Sequence, residues 1–280
     1  ARFKGMYLSD PGTSDVTDVK LDPRFPAVRA HLAGLCAKAM AEWDIDGLKL
    51  DFIDAFSGGP VATPGDGRDF ASLPDAVRRL MTDVAAALKA AKPDALVEFR
   101  QNYFGPAMRG FGNMFRVSDC PGDPQNNRAG VAMLRLTSGR AAVHSDMLEW
   151  HPTDTPENAA RPILNALFGV IQYSMVLKDL PPAHLAVVDK WLRFSQDHRE
   201  ALLKGKFTAH HPEMCYPVLE GESASERVVV VYSDAAFADL GSVTKPVYLV
   251  NATAHDGLVV VRDGRPQKVD VRKSDFTLIK

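Results

Sequence analysis

A chain of 280 residues, 46% hydrophobic and 24% charged, has the composition of an ordinary folded protein and the length for one large core with a smaller satellite. Its formal net charge of −2 offers no basic field for nucleic acid and no attraction to an anionic membrane surface, so the expected partner is a neutral small molecule. Cys36, Cys120 and Cys215 stand apart without a CxxC pair, which indicates neither a zinc ribbon nor a disulfide scaffold and leaves the compartment open between cytoplasm, periplasm and exterior, with a slight lean to the reducing cytoplasm.

No apolar run is long enough to span a bilayer. The chain begins at Ala1 rather than at a methionine, which sets the expectation of a processed or truncated piece of something longer. In chain order, short apolar runs predict strands over 5–9, 47–52, 96–100, 114–119, 141–146 and 170–176. Amphipathic stretches predict helices between them over 25–43, 73–91, 126–138, 156–168 and 182–203, with Pro74 at a first turn. This alternation is that of a parallel α/β layer, specifically a (β/α)8 TIM-type barrel. A complete barrel of that type takes about 250 residues. Here the pattern ends near residue 205 after six strands, so the barrel is expected to lack its first strands. Beyond Gly205 the texture changes to β-branched runs over 227–233, 246–251, 257–262 and 267–271, separated by Gly, Asp and Asn turns. The predicted organisation is a catalytic barrel over 1–205 and a C-terminal antiparallel β-sandwich over 206–280.

The run Asp46-Gly47-Leu48-Lys49-Leu50-Asp51-Phe52-Ile53-Asp54 reads as a buried strand that delivers a lysine and a carboxylate at its carboxyl end. Alternation puts Lys49 and Asp51 on one face and Leu48, Leu50 and Phe52 on the other, against covering helices. An adjacent ammonium keeps Asp51 ionised, which suits a nucleophile and not a proton donor. The competing reading is a structural ion pair at a strand end. A second carboxyl follows in Met114-Phe115-Arg116-Val117-Ser118-Asp119, where Asp119 is the candidate acid/base and an N-cap or turn aspartate the alternative. Asp123, in Gly122-Asp123-Pro124, is more turn-like.

Lys49-x-Asp51, Arg116-Val117-Ser118-Asp119 and the later Ala142-Val143-His144-Ser145-Asp146-Met147-Leu148-Glu149-Trp150-His151 together resemble the retaining α-galactosidases of glycoside hydrolase family 36. The clan also contains α-N-acetylgalactosaminidases and raffinose-type transferases. The resemblance implies Asp51 as nucleophile, Asp119 as acid/base, an oligosaccharide or α-galactoside as substrate, no cofactor and no metal. It also implies a barrel followed by an antiparallel β-domain. Where the family carries a Cys-x-x-Gly-x-x-Arg loop, this chain has Glu98-Phe99-Arg100-Gln101-Asn102-Tyr103-Phe104-Gly105-Pro106.

Further candidates for substrate binding are Lys49, Arg100, Arg116, His144, Asp146 and Trp150. Arg100 shares a face with Glu98, and can meet sugar hydroxyls, hold a catalytic carboxylate or pair with that glutamate. Arg116 can anchor the loop that carries Asp119, and Trp150 is either a stacking platform or loop packing. His144, Asp146 and His151 carry the main rival, a metal-dependent hydrolase. A barrel that binds carbohydrate without turning it over is the other, and completion by a missing N-terminal part or by a second copy is expected. Trp43 and Trp191, on apolar helix faces, are assigned to the core.

Overall fold

The computed structural model describes residues 3–8, 19–63 and 65–280. They divide into two compact units, Ala1–Met114 and Phe115–Lys280, and the expected boundary after residue 205 falls inside the second. Five parallel strands followed by helices make a half-barrel, and two further sheets make a C-terminal β-domain. The strand expected over 5–9 lies partly outside the described residues, and the remainder shows a single antiparallel bridge between Tyr7 and Leu21.

In the first unit, α1 (Pro26–Trp43) and α2 (Leu73–Ala91) each carry proline in the first turn, where its fixed φ suits a helix and its missing N–H costs nothing. The Ser72 hydroxyl caps α2 by accepting from the Asp75 N–H at 3.4 Å. Strand β1 (Gly47–Lys49) pairs in parallel with β2 (Leu96–Arg100), Lys49 standing opposite Glu98. Gly47 is required here, since a Cβ would lie 2.3 Å from the Leu96 carbonyl oxygen. A short helix, α3 (Pro106–Arg109), follows β2.

The loop after β1 is tied down by charge. Asp22, fully buried, accepts from Arg24 Nε at 2.9 Å and Nη2 at 2.8 Å and from Arg68 Nε at 2.9 Å. Burial alone would raise the Asp22 pKa, but the two guanidinium groups hold it below the ordinary value. Trp43 is 71% exposed, which corrects its assignment to the core. The helix turns its last residues to solvent, and a left-handed Asp44 follows.

In the second unit, β3 (Met114–Arg116, whose first residue closes the first unit), β4 (Ala142–Leu148) and β5 (Val170–Tyr173) alternate with α4 (Pro124–Thr137), α5 (Pro156–Ala166) and α6 (Pro182–Asp197). Strands β1, β3 and β5 are shorter than expected, and α6 gives way to a π turn at Glu200–Lys204. One sheet then runs β13 (Asp275–Ile279), β10 (Val247–Asn251), β8 (Arg227–Val231), β7 (Val218–Glu222), β6 (Lys206–His210). The other runs β12 (Arg265–Val269), β11 (Leu258–Arg262), β9 (Ala238–Gly241). Pairing is antiparallel except between β8 and β10 and between β9 and β11.

Val229, Val231, Leu240, Val247, Leu249 and Val260 fill the space between these two sheets. The opposite face of the larger sheet is also covered. Tyr248 and Phe276 pack on Phe194, and Trp191 meets Phe276 at 6.1 Å between ring centroids. Trp191 is accordingly buried, as expected of a core residue. Among the described residues no helix is long and apolar enough to cross a membrane.

Candidate functional site

Asp51 lies two residues beyond β1, and four donors converge on its carboxylate. Lys49 Nζ is 3.2 Å from Oδ2, while Oδ1 receives Arg100 Nη2 at 3.1 Å, the Tyr103 hydroxyl at 3.0 Å and the Phe52 N–H at 2.8 Å. Burial pulls the Asp51 pKa upward, but the Phe52 N–H, Lys49 and Tyr103 outweigh it and hold the carboxyl below its ordinary value. Burial and the adjacent carboxylate push the Tyr103 hydroxyl up to about 12, so it remains a donor at neutral pH. The arrangement is an ionised, oriented carboxylate with part of its surface open: its side chain is 27% exposed. It borders a concavity of about 530 Å3 walled by Leu21, Leu32, Phe52, Ala55 and Phe56.

Alternation correctly puts Lys49 beside Asp51. Phe52 departs from it: the residue is left-handed at φ 57° and 65% exposed instead of facing the helices. The ladder has already ended, because Leu50 makes its last hydrogen bond, to the Glu98 carbonyl at 3.0 Å, and a 3-10 turn at Ile53–Ala55 follows. Arg100 spans both features, bonding Asp51 and lying 4.9 Å from the Phe52 ring centroid. Among its expected partners, the Asp51 carboxylate is one that it holds. Tyr103 was not singled out from sequence, since a 3-10 turn at Gln101–Tyr103 carries it back over Leu50 and Asp51.

In the second unit Asp119 follows β3 and is 55% exposed at its side chain. Arg116 Nη2 holds its Oδ1 at 2.7 Å, and Arg116 Nη1 bonds Asp146 Oδ1. Asp146 is fully buried; its other oxygen accepts the Cys120 N–H at 2.5 Å, so this carboxylate grips both ends of the turn that presents Asp119. Asn127 of α4 fixes Asp146 in turn, accepting its N–H at 3.0 Å and donating to its carbonyl at 3.2 Å. Asp123 is the N-cap of α4, bonded by the Asn126 N–H at 3.0 Å. Burial first, then Asp146 and Asp123, push the Cys120 thiol up to about 12, which leaves it protonated and unreactive near neutral pH.

The remaining candidates are distributed. His144 shares a hydrogen bond with the Gln172 amide at 3.1 Å, Asp146 serves Arg116, and His151 bonds Thr153 at 2.8 Å. Among the described residues no group of three or more His, Cys, Asp or Glu side chains is placed to hold a metal ion. Trp150 is 9% exposed, its indole N–H donating to His184 Nδ1 at 3.2 Å. One edge of it lines a cleft of about 480 Å3 with Gly122, Pro124, Glu149, His151 and Asp154.

No family model and no curated protein sequence matches this chain. Solved structures do. The α-galactosidase from Lactobacillus brevis superposes with a TM-score of 0.60 at 19% identity, over 78% of this chain and 31% of its own. A variant of the family 36 α-galactosidase AgaA from Geobacillus stearothermophilus, in complex with raffinose, reaches 0.63 at 16% identity, over 99% of this chain and 41% of its own. The α-amylase from Geobacillus thermoleovorans, complexed with acarbose, gives 0.60 at 15%, over 99% and 72%. The fold is one that these structures share. This chain spans about a third to two fifths of the length of those α-galactosidases.

Proposed function

We propose that this chain is the catalytic portion of a retaining, exo-acting glycoside hydrolase of the family 36 type, cleaving terminal α-galactosyl or related α-glycosyl linkages. The observation that carries the reading is the Asp51 carboxylate, kept ionised by four donors yet open to a concavity, at the carboxyl end of a barrel strand where this architecture places its chemistry. The complexes of similar α-galactosidases with raffinose and stachyose support the substrate class.

In this scheme Asp51 attacks the anomeric carbon while Asp119 protonates the departing oxygen; Asp119 then draws a proton from water, which releases the sugar from Asp51 with retention. Lys49 and His144, both with accessible surface, meet sugar hydroxyls, whereas Arg100 acts through Asp51. Arg116 and Asp146 act through Asp119, and Trp150 shapes one edge of the cleft it shares with Gly122 and Glu149. The outer edges of β1 and β5 carry no further strand among the described residues, and they are completed by another stretch of polypeptide or a second copy.

The deciding experiment is Asp51→Gly assayed on an aryl α-galactoside. The expected loss in kcat is about 10^4-fold or more, with azide restoring part of the rate as a glycosyl azide of inverted configuration. Full activity in that variant removes Asp51 from the reaction.

A further inference from the structure

The second unit contains a cavity of about 180 Å3 lined by Gln125, Arg128, Arg161, Asn165, Tyr232 and Ser233, among others. None of these side chains takes part in the chemistry above. Arg128 is 7% exposed. Its guanidinium donates to Asn165 Oδ1 at 2.6 Å and, through Nε at 3.2 Å and Nη2 at 3.0 Å, to the Cys215 carbonyl. It also lies 4.4 Å from the Tyr232 ring centroid. Every one of these partners is neutral, so the charge is solvated by dipoles and a π face without being neutralised.

A second cation makes the arrangement costlier. Arg161 lines the same cavity and repels Arg128, and the carboxylate that opposes this repulsion, Asp123, is itself engaged in capping α4. Burying a guanidinium beside another without a counter-charge is unfavourable, and a bound anion is the simplest relief. Residues that line the cavity keep spare donor capacity. Nη1 and Nη2 of Arg128 each carry two hydrogens and make one of the bonds above. Ser233 Oγ accepts from the Ala235 N–H at 3.2 Å, which leaves its own hydrogen for another partner.

We propose that this cavity binds a small inorganic oxyanion of the phosphate or sulfate type between the guanidinium groups of Arg128 and Arg161. The volume lies below the roughly 300 Å3 at which pockets for larger organic ligands begin, so a bare anion fits and a nucleotide or sugar phosphate does not. Its grip joins α4, α5 and the end of β8. It also bears on the segment between β6 and β7, where His211, Cys215 and Tyr216 are left-handed and Arg128 holds the Cys215 carbonyl.

The test is thermal unfolding of the whole chain in sodium phosphate, then in sodium sulfate, against sodium chloride at matched ionic strength, with calorimetric titration of phosphate for stoichiometry. A Tm that rises with the logarithm of phosphate concentration beyond the chloride control, with one site per chain, is expected. Arg161→Met, at an exposed position of α5, should fold normally and weaken phosphate binding by about tenfold or more, as loss of a charge-assisted contact does. Arg128→Met should abolish the response; if that variant fails to fold, Arg161→Met decides alone. Equal stabilisation by phosphate and chloride, or an Arg161→Met protein that binds phosphate as the parent does, overturns the assignment.

Discussion

Asp51 is poised between desolvation, which favours its acid form, and four donors that favour its carboxylate; the donors prevail. Its folded pKa is therefore depressed, so the stability this cluster contributes is present above the ordinary carboxylate range and lost as pH falls through the lower, folded value. Tyr103→Phe removes one donor from the charged form. The acid limb of the pH profile of kcat/KM should move to higher pH, with a change of less than about tenfold on the plateau, as expected for one hydrogen bond. A limb that stays in place would show that Tyr103 does not set this ionisation. At this scale the sequence was legible wherever strand alternation held: Lys49 beside Asp51 follows from a period of two. It was illegible where the backbone left the strand, because one left-handed residue resets the parity and turns Phe52 outward, and a 3-10 turn brings Tyr103 back.

Between β3 and β4 a buried ion pair fixes a turn. Asp146→Ala leaves the interior Arg116 with the half-exposed Asp119 as its counter-charge and strips the Cys120 N–H of its acceptor, with an expected loss of about 3 kcal/mol in urea unfolding. The double change Arg116→Met with Asp146→Leu should recover most of that stability, since two apolar groups of similar size need no neutralisation. Turnover should not recover with it: Asp119 would have lost its Arg116 contact, and misplacement of a reacting group costs on the order of 100-fold. Parallel recovery of both would reduce Arg116 to packing. Helices were the most legible elements, because a first-turn proline and a side-chain cap are local signals. The strands β6, β7, β9 and β13 were not foreseen. Lys206-Phe207-Thr208-Ala209-His210 and Val218-Leu219-Glu220-Gly221-Glu222 mix charge and glycine into the runs, and their pairing is set by sheet neighbours instead of propensity.

For the molecule as a whole, the barrel layer was legible from alternating strand and helix patterns, whereas the compact units were not, since nothing local marks a division at Met114. Strand β5 has a neighbour, β4, on one side only among the described residues. Amide hydrogens on its open edge should exchange at least about tenfold faster than those of β4, and slow when a completing polypeptide is supplied. Uniform protection of both strands in the lone chain would argue against an open edge. The larger C-terminal sheet has the opposite character. Val228 and Val230 point away from the inter-sheet core that holds Val229 and Val231, and all four are fully buried. At β8 that sheet has no wet side. A protease that nicks the chain near Gly205 would therefore release nothing: the fragments would stay clasped through Trp191, Phe194, Tyr248 and Phe276, and would part only under denaturant. What looks along the sequence like an appended module behaves as half of a hinge-less clasp, so swapping it for the equivalent module of another protein would require redesigning the outer surface of α6 at the same time.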